Sequence, residues 1–131
     1  MEKDEKVLID TSSWIEALRS SGRSDVRERV RDLLINGAAS WCDMVAVELW
    51  NGARGDYEKR KLTEIEKQIT CLPTTVESWQ LARRLAQKCR NAGLTVPSAD
   101  LVIVACGLSH GVAIEHCDEH FDIIISTSKT K

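Results

Sequence analysis

The chain has 131 residues, the length of one ordinary domain, and its 43% hydrophobic and 29% charged residues are proportions typical of a soluble globular protein. Its formal net charge of −2 disfavours a uniformly basic surface of the kind that covers many nucleic-acid-binding proteins. The five cysteines are scattered and include no Cys-x-x-Cys pair, which argues against a disulfide framework and against a thiolate zinc site.

No segment of the sequence has the pattern of a membrane span or a signal peptide. The longest apolar run, from Leu101 to Leu108, is far too short to cross a bilayer. The first six residues are mostly charged and lack the apolar stretch of a secretory signal. We therefore expect a cytoplasmic protein that does not bind membranes and that forms a single domain over residues 1–131.

Strand-like and helix-like segments alternate in the first half of the chain. An apolar run predicts a strand, and a 3.6-residue apolar period after a capping residue such as Ser24 predicts a helix. In chain order we predict a strand over 6–10, helices over about 12–19 and 24–36, a strand over 38–42 and a helix over 43–54.

The same alternation continues in the second half. Thr74 and Glu77 have the spacing of a capping box at the start of a helix, and Pro97-Ser98 opens another. In chain order we predict a helix over 57–67, a strand over 69–72, helices over about 76–92 and 98–110, and strands over 112–116 and 122–125. Strands alternating with helices predict an α/β domain with a mostly parallel sheet covered by helices.

Four acidic residues stand in or beside apolar segments: Asp10, Glu48, Asp100 and Asp118. A carboxylate in such a place is costly unless its charge is compensated. Asp10 and Asp118 each follow a predicted strand, and ligand sites of parallel sheets form beyond the carboxyl ends of the strands. Brought together, the four carboxylates would bind a hard divalent cation such as Mg²⁺.

Such a cation would polarise a phosphoryl oxygen and lower the pKa of a water molecule that attacks the phosphorus. Thr11 and Ser12, directly after Asp10, are candidates for orienting these waters, although their hydroxyls also suit an ordinary strand-to-helix turn. Each carboxylate has an ordinary explanation as well. Asp100 suits the first turn of a helix, and Glu48 suits the polar edge of a buried one. Four such exceptions together favour a functional site.

Basic residues cluster on predicted helices although the total charge is negative. Omitting the four candidate carboxylates changes the net charge from −2 to +2. An acidic centre with basic flanks suits a metal-dependent reaction on a phosphodiester, although each cluster also suits a solvated helix face. The candidates for contacting RNA phosphates are Arg27, Arg31, Arg84 and Lys88.

The chain resembles the PIN-domain ribonucleases, and in order and length it is similar to the VapC-type toxins of toxin–antitoxin pairs. The segments that carry the resemblance are Leu-Ile-Asp-Thr-Ser-Ser-Trp-Ile, Val-Glu-Leu-Trp-Asn-Gly-Ala-Arg, Ser-Ala-Asp-Leu-Val-Ile-Val-Ala and Cys-Asp-Glu-His-Phe-Asp-Ile-Ile. The resemblance implies a three-layer α/β/α fold, dependence on Mg²⁺ or Mn²⁺, cleavage of RNA, a homodimer and an antitoxin partner. It also implies that Asp10, Glu48, Asp100 and Asp118 are the catalytic and metal-binding residues.

Two positions depart from the family pattern. His116 stands where the family usually has a hydroxyl residue, and His120 stands where a second acidic residue often precedes the phenylalanine.

Two other functions remain open. The first is another Mg²⁺-dependent phosphoryl hydrolase, which usually carries a second acid where this chain has Ser12. The second is a catalytically inactive PIN-like domain that binds RNA or acts as a scaffold, although such domains typically lack some of the acids.

Overall fold

The computed structural model describes residues 5–130, so the first four residues and the last one of the predicted domain, 1–131, lie outside the described residues. The strands are β1 (Val7–Ile9), β2 (Ala39–Cys42), β3 (Thr70–Leu72) and β4 (Ala113–Glu115). The helices are α1 (Thr11–Leu18), α2 (Ser24–Ile35), α3 (Asp43–Asn51), α4 (Gly55–Gln68), α5 (Val76–Asn91), α6 (Ser98–His110) and α7 (Glu119–Ser128). Among the described residues, no helix is both long and apolar enough to cross a membrane.

The four strands form one sheet in the order β3-β2-β1-β4, and every pair is parallel. This confirms the predicted parallel α/β architecture, with helices flanking the sheet as in a three-layer α/β/α domain. The chain moves outward from β1 to β2 and β3, and then returns to place β4 on the other side of β1. The strand order therefore reverses at β1, and ligand sites of open parallel sheets lie at this switch point, beyond the carboxyl ends of the strands.

The core lies against β1 and α6. Leu8 and Ile9 of β1 are fully buried. Helix α6 is apolar around most of its circumference and buries seven of its residues, as expected for a helix packed on several sides. Trp14 of α1 meets Trp41 of β2 edge to face, with ring centroids 5.9 Å apart. These contacts fix the ends of the strands from which the candidate site is built.

The predicted strand over 122–125 is wrong, because these residues belong to α7. The run of isoleucines suggested a strand, but Phe121, Ile124 and Thr127 are the buried residues, and their spacing of three is helical. The side chain of Asp118 accepts a hydrogen bond from the backbone N–H of His120 and so caps this helix. Asp118 is thus both a helix cap and a candidate site residue.

Two predicted helix caps also need correction. Thr75, rather than Thr74, caps α5, because its hydroxyl accepts from the backbone N–H of Ser78 at 3.1 Å. Ser24 is the first residue of α2 and does not cap it, since the N-cap position is occupied by Arg23. The other predicted helices and strands are present, with ends that differ from the predictions by up to three residues.

Candidate active site

Asp10 lies between β1 and α1, at the carboxyl end of the strand where the sheet order reverses. Its Oδ2 accepts two hydrogen bonds from Ser12, one from the backbone N–H at 3.0 Å and one from the hydroxyl at 2.6 Å. The residue is only 2% exposed. Burial raises the pKa of this carboxyl above its ordinary value, while the hydrogen bonds from Ser12 act in the opposite direction. A buried acid with a raised pKa is typical of a functional carboxylate.

Ser12 also connects the two strand ends on which the site is built. Its hydroxyl oxygen accepts a hydrogen bond from the backbone N–H of Cys117, at 3.1 Å, while it donates to Asp10. The residue after Cys117 is Asp118, so the turn after β1 is tied to the segment after β4. Thr11 acts similarly, because its hydroxyl donates to Oε1 of Glu48 at 2.6 Å. Both hydroxyls thus bind carboxylates directly, which suits holding the acids in place better than the predicted orienting of water.

Asp100 is at the third position of α6, where the first turn of the helix favours a negative charge. It is 9% exposed. Its pKa is raised to about 6, first by burial and then by the negative charges of Asp10, Asp118 and Glu48. Asp10, Asp118 and Glu48, from three other segments, therefore lie close enough to Asp100 to repel its charge. Such repulsion is expected of a cluster that a cation would neutralise.

The segment after β4 supplies Asp118 and, one residue beyond the start of α7, His120. Oδ1 of Asp118 lies 3.0 Å from Nδ1 of His120, and Oδ2 of Asp100 lies 3.8 Å from the same nitrogen. One ligand atom from each of these three residues lies within 4.8 Å of the other two. The predicted strands over 112–116 and 122–125 put His120 in the loop between them. In the structure it lies in the first turn of α7, beside Asp100 and Asp118.

His116, the other departure from the family pattern, is directed elsewhere. Its Nε2 lies 3.3 Å from Oδ1 of Asp122, and its ring stacks on Phe121 with centroids 5.2 Å apart. These contacts attach the end of β4 to α7. The two histidines therefore have different surroundings, although they are only four residues apart in the sequence.

The residues present fit a divalent cation. Oxygen atoms of several carboxylates are the ligands that Mg²⁺ and Mn²⁺ prefer. Burial raises the pKa of Asp100, the negative charges of Asp10, Asp118 and Glu48 raise it further, and His120 acts in the opposite direction. Nδ1 of His120 is itself buried and has no hydrogen-bond partner within residues 5–130. An ion among these atoms would relieve both the repulsion and the unsatisfied nitrogen.

The predicted phosphate-binding residues lie in different surroundings. Arg27 and Arg31 line a groove beside α1, α2 and α4, and Arg27 donates to the carbonyl of Ser20. Lys88 is half-buried, with its ammonium donating to the carbonyls of Ser128 and Thr130. Arg84 is exposed on α5. Arg31 is exposed as well, so Arg31 and Arg84 are the two of the four best placed to contact a nucleic acid in solution.

Comparison with known proteins agrees with this geometry. The family model of the PIN domain matches residues 7–124. The chain is 35% identical to the VapC ribonuclease Mb1587 of Mycobacterium bovis, over 90% of both chains. It is 28% identical to ribonuclease VapC51 of Mycobacterium tuberculosis, over 94% of this chain and 88% of that one.

Solved structures share the fold at lower identity. The structure of VapBC2 from Rickettsia felis, bound to a promoter DNA fragment, superposes with a TM-score of 0.75 at 14% identity and covers 90% of this chain and 92% of that one. FitAcB from Neisseria gonorrhoeae gives a TM-score of 0.72 at 18% identity, over 91% of this chain and 93% of that one. The family match over most of the chain and the similarity to VapC proteins show that this chain belongs to the PIN-domain family and, within it, to the VapC group.

Proposed function

We propose that this protein is a metal-dependent endoribonuclease and the toxin of a toxin–antitoxin pair. The observation that carries the proposal is the convergence of Asp10, Glu48, Asp100 and Asp118 at the switch point of a parallel sheet. The names of its relatives, which describe them as VapC ribonucleases, support the choice of RNA as substrate. A scaffold domain would have no need to hold three other acids close to the buried Asp100.

Each carboxylate has a distinct part in the proposed reaction. Asp10 and Asp100, the two most buried, would hold a divalent cation, either Mg²⁺ or Mn²⁺. When bound, that cation supplies electrostatic stabilisation for the phosphodiester under attack and for the attacking water. Glu48 and Asp118 are more exposed, so they would position water molecules and accept the proton that the attacking water loses. Ser12 and Thr11 would keep Asp10 and Glu48 in their productive rotamers.

Cleavage of a mixed RNA pool tests this function. We expect cutting with Mg²⁺ or Mn²⁺, none with EDTA, and a loss of at least about 100-fold for Asp10→Asn, because the variant loses a ligand charge while keeping its shape. The matched control is Asp43→Asn. Asp43 follows β2 at the same edge of the sheet, but its carboxylate accepts from Cys71 instead of joining the cluster. Cutting that survives Asp10→Asn would reject the proposed site.

The alternatives make different predictions for the same assay. An inactive RNA-binding domain would retain RNA without cutting it under any metal condition. A different phosphoryl hydrolase would leave RNA intact and release phosphate from small phosphomonoesters such as p-nitrophenyl phosphate.

Because RNA and an antitoxin are both cytoplasmic, the proposal also places the protein in the cytoplasm.

Two adjoining grooves are proposed to receive the antitoxin. The first, of about 430 Å³, is lined by apolar residues of α1, α2 and α4 and by Arg27, Arg31 and Lys61. The fully buried Trp14 lies beside it, and its indole N–H has no hydrogen-bond partner among the described residues. The solved relatives that contain VapB or FitA beside the toxin-like chain support a protein partner.

The second groove explains how such a partner could inhibit the enzyme. It has a volume of about 270 Å³, is lined by Leu18, Tyr57 and Leu62 among others, and includes Glu48. A segment seated there would lie directly beside a carboxylate of the site and would exclude RNA. Leu18 lines both grooves.

Substitution in the shared wall of the grooves tests this arrangement. We expect Leu18→Asp to abolish co-purification of the small protein encoded beside this chain, because it places a charge where apolar surface must be buried. Cleavage of RNA should remain within about threefold of wild type. Leu108→Asp on α6, an exposed apolar position outside both grooves, is the matched control and should keep the partner. Retention of the partner by Leu18→Asp would contradict the proposed docking surface.

A further inference from the structure

We propose that His120 is a direct nitrogen ligand of the cation, so that the site binds transition ions such as Mn²⁺ in preference to Mg²⁺. The inference rests on the proposed metal-dependent site and extends it to the choice of ion. It is carried by the position of Nδ1, which lies 3.0 Å from a carboxylate oxygen of Asp118 and 3.8 Å from one of Asp100.

The spacing of these atoms suits one shared ion. Two ligands at about 2.1 Å from an octahedral ion, at right angles to each other, lie about 3.0 Å apart. The Nδ1–Oδ1 separation of 3.0 Å in the His120–Asp118 pair matches that spacing. The separation of 3.8 Å to Oδ2 of Asp100 falls between the distances of about 3.0 and 4.2 Å for adjacent and opposite ligands of such an ion, so Asp100 would shift by less than about 1 Å on binding. All three ligand atoms lie within 4.8 Å of one another, as donors to a single ion must.

The environment of the imidazole points the same way. Nδ1 is buried and has no hydrogen-bond partner within the described residues, even though the oxygen of Asp118 is close, because the geometry is unsuited to a hydrogen bond. A buried nitrogen of this kind costs free energy unless something else binds it. The side chain as a whole is 38% exposed, although Nδ1 is buried. In a metal-ligating histidine one ring nitrogen binds the ion and the other donates to a partner such as water.

The chemistry of the donor set then determines the preferred ion. Mg²⁺ selects oxygen ligands and binds imidazole poorly, whereas first-row transition ions accept mixed oxygen and nitrogen ligands. A site with Asp100, Asp118 and His120, whose ligand atoms lie together, is mixed in this sense. Replacing the nitrogen by a third acidic side chain at position 120 would return it to an all-oxygen site. The selectivity between Mn²⁺ and Mg²⁺ should therefore depend on this one side chain.

The test measures ligation rather than activity. Pulsed electron paramagnetic resonance of bound Mn²⁺ detects hyperfine coupling to a directly bonded nitrogen, and we expect that coupling in the wild-type protein. His120→Asp should bind Mn²⁺ without the coupling. His116→Gln is the matched control, because His116 faces Asp122 and Phe121, and it should keep the coupling. By calorimetry, the preference for Mn²⁺ over Mg²⁺ should fall about tenfold in His120→Asp.

Failure of this inference is distinguishable from failure of the proposed function. Mn²⁺ that binds the wild type without nitrogen coupling would overturn the role of His120 and leave the carboxylate site in place. Coupling that is lost in His116→Gln but kept in His120→Asp would also overturn it. Absence of any Mn²⁺ binding to the folded wild type would overturn the metal site and this inference together.

Discussion

At the scale of single residues, electrostatic repulsion between the carboxylates destabilises the metal-free site, and a bound cation would reduce that repulsion. Asp100 is the clearest case, because its pKa in the folded protein is about 6 against an ordinary value of 3.8. The folded state then binds more protons than the unfolded state between these two pH values. The contribution of Asp100 to the free energy of unfolding is therefore fully present below about pH 4 and is lost as the pH rises through about 6.

Substitution of Asp100 should therefore stabilise the metal-free protein. We expect Asp100→Asn to raise the free energy of unfolding by about 1–2 kcal/mol at pH 7.5 in EDTA, because it removes a desolvated charge that three other acids repel. Urea denaturation measures this change. The gain should shrink below about pH 4, where the wild-type carboxyl is protonated in both states. A variant less stable than wild type at pH 7.5 would contradict the proposed charge repulsion.

The same variant should lose the response to metal. Saturating Mn²⁺ binds only the folded state and should raise the melting temperature of the wild type. That rise should be absent in Asp100→Asn and present in Asp122→Asn, because the carboxylate of Asp122 is 77% exposed and pairs with His116 instead. An equal rise in both variants would place the bound ion elsewhere on the molecule.

At the scale of helices and strands, the sequence predicted the elements that carry a clear local signal. The start of α1 was predictable, because the apolar run of β1 ends on Asp10 and is followed by hydroxyl residues. Helix α7 was not, since Ile123, Ile124 and Ile125 suit a strand or a buried helix equally in so short a run. The hydrogen bond from the backbone of His120 to Asp118 distinguishes the two, and sequence spacing alone does not reveal it.

Because α7 was predicted as a strand, the position of His120 in the site was not predicted. Four acids could be proposed from their unusual places in apolar segments, and the repulsion on Asp100 is consistent with their convergence. The place of His120 depends on the rotation of α7 about its axis, which sequence alone does not give. Trp79 of α5 is likewise 45% exposed, although it lies three residues before the buried Ala82 of the same helix. Both depend on tertiary packing rather than on periodicity.

The turn between α1 and α2 depends on a glycine. A Cβ built at Gly22 would lie 1.8 Å from the carbonyl oxygen of Glu16, so the backbone must shift to admit any side chain. We expect Gly22→Ala to lower the free energy of unfolding by about 1–3 kcal/mol, measured by urea denaturation. Gly52→Ala is the matched control, since its nearest atom would be at 3.7 Å, and it should stay within about 0.5 kcal/mol of wild type. Equal effects of the two substitutions would show that the turn tolerates a side chain.

At the scale of the whole molecule, we propose that residues 1–131 form one domain and that two copies associate. Large apolar side chains remain exposed on α3 and α5, including Val47 at 61% and Val76 at 68%, and a second copy would cover some of them. Sedimentation equilibrium should give twice the chain mass of 14.7 kDa. A mass of one chain at micromolar concentration would contradict the dimer and leave the site within a single chain unaffected.

The most direct test of the central claim is the anomalous diffraction of Mn²⁺ in crystals of the wild-type protein. We expect a peak bonded to carboxylate oxygens of Asp10 and Asp100, at the switch point between β1 and β4. The same data show whether a further bond reaches His120. A well-ordered site without a peak at saturating Mn²⁺, or a peak bound only by residues outside the four acids, would contradict the claim that these carboxylates form a metal centre.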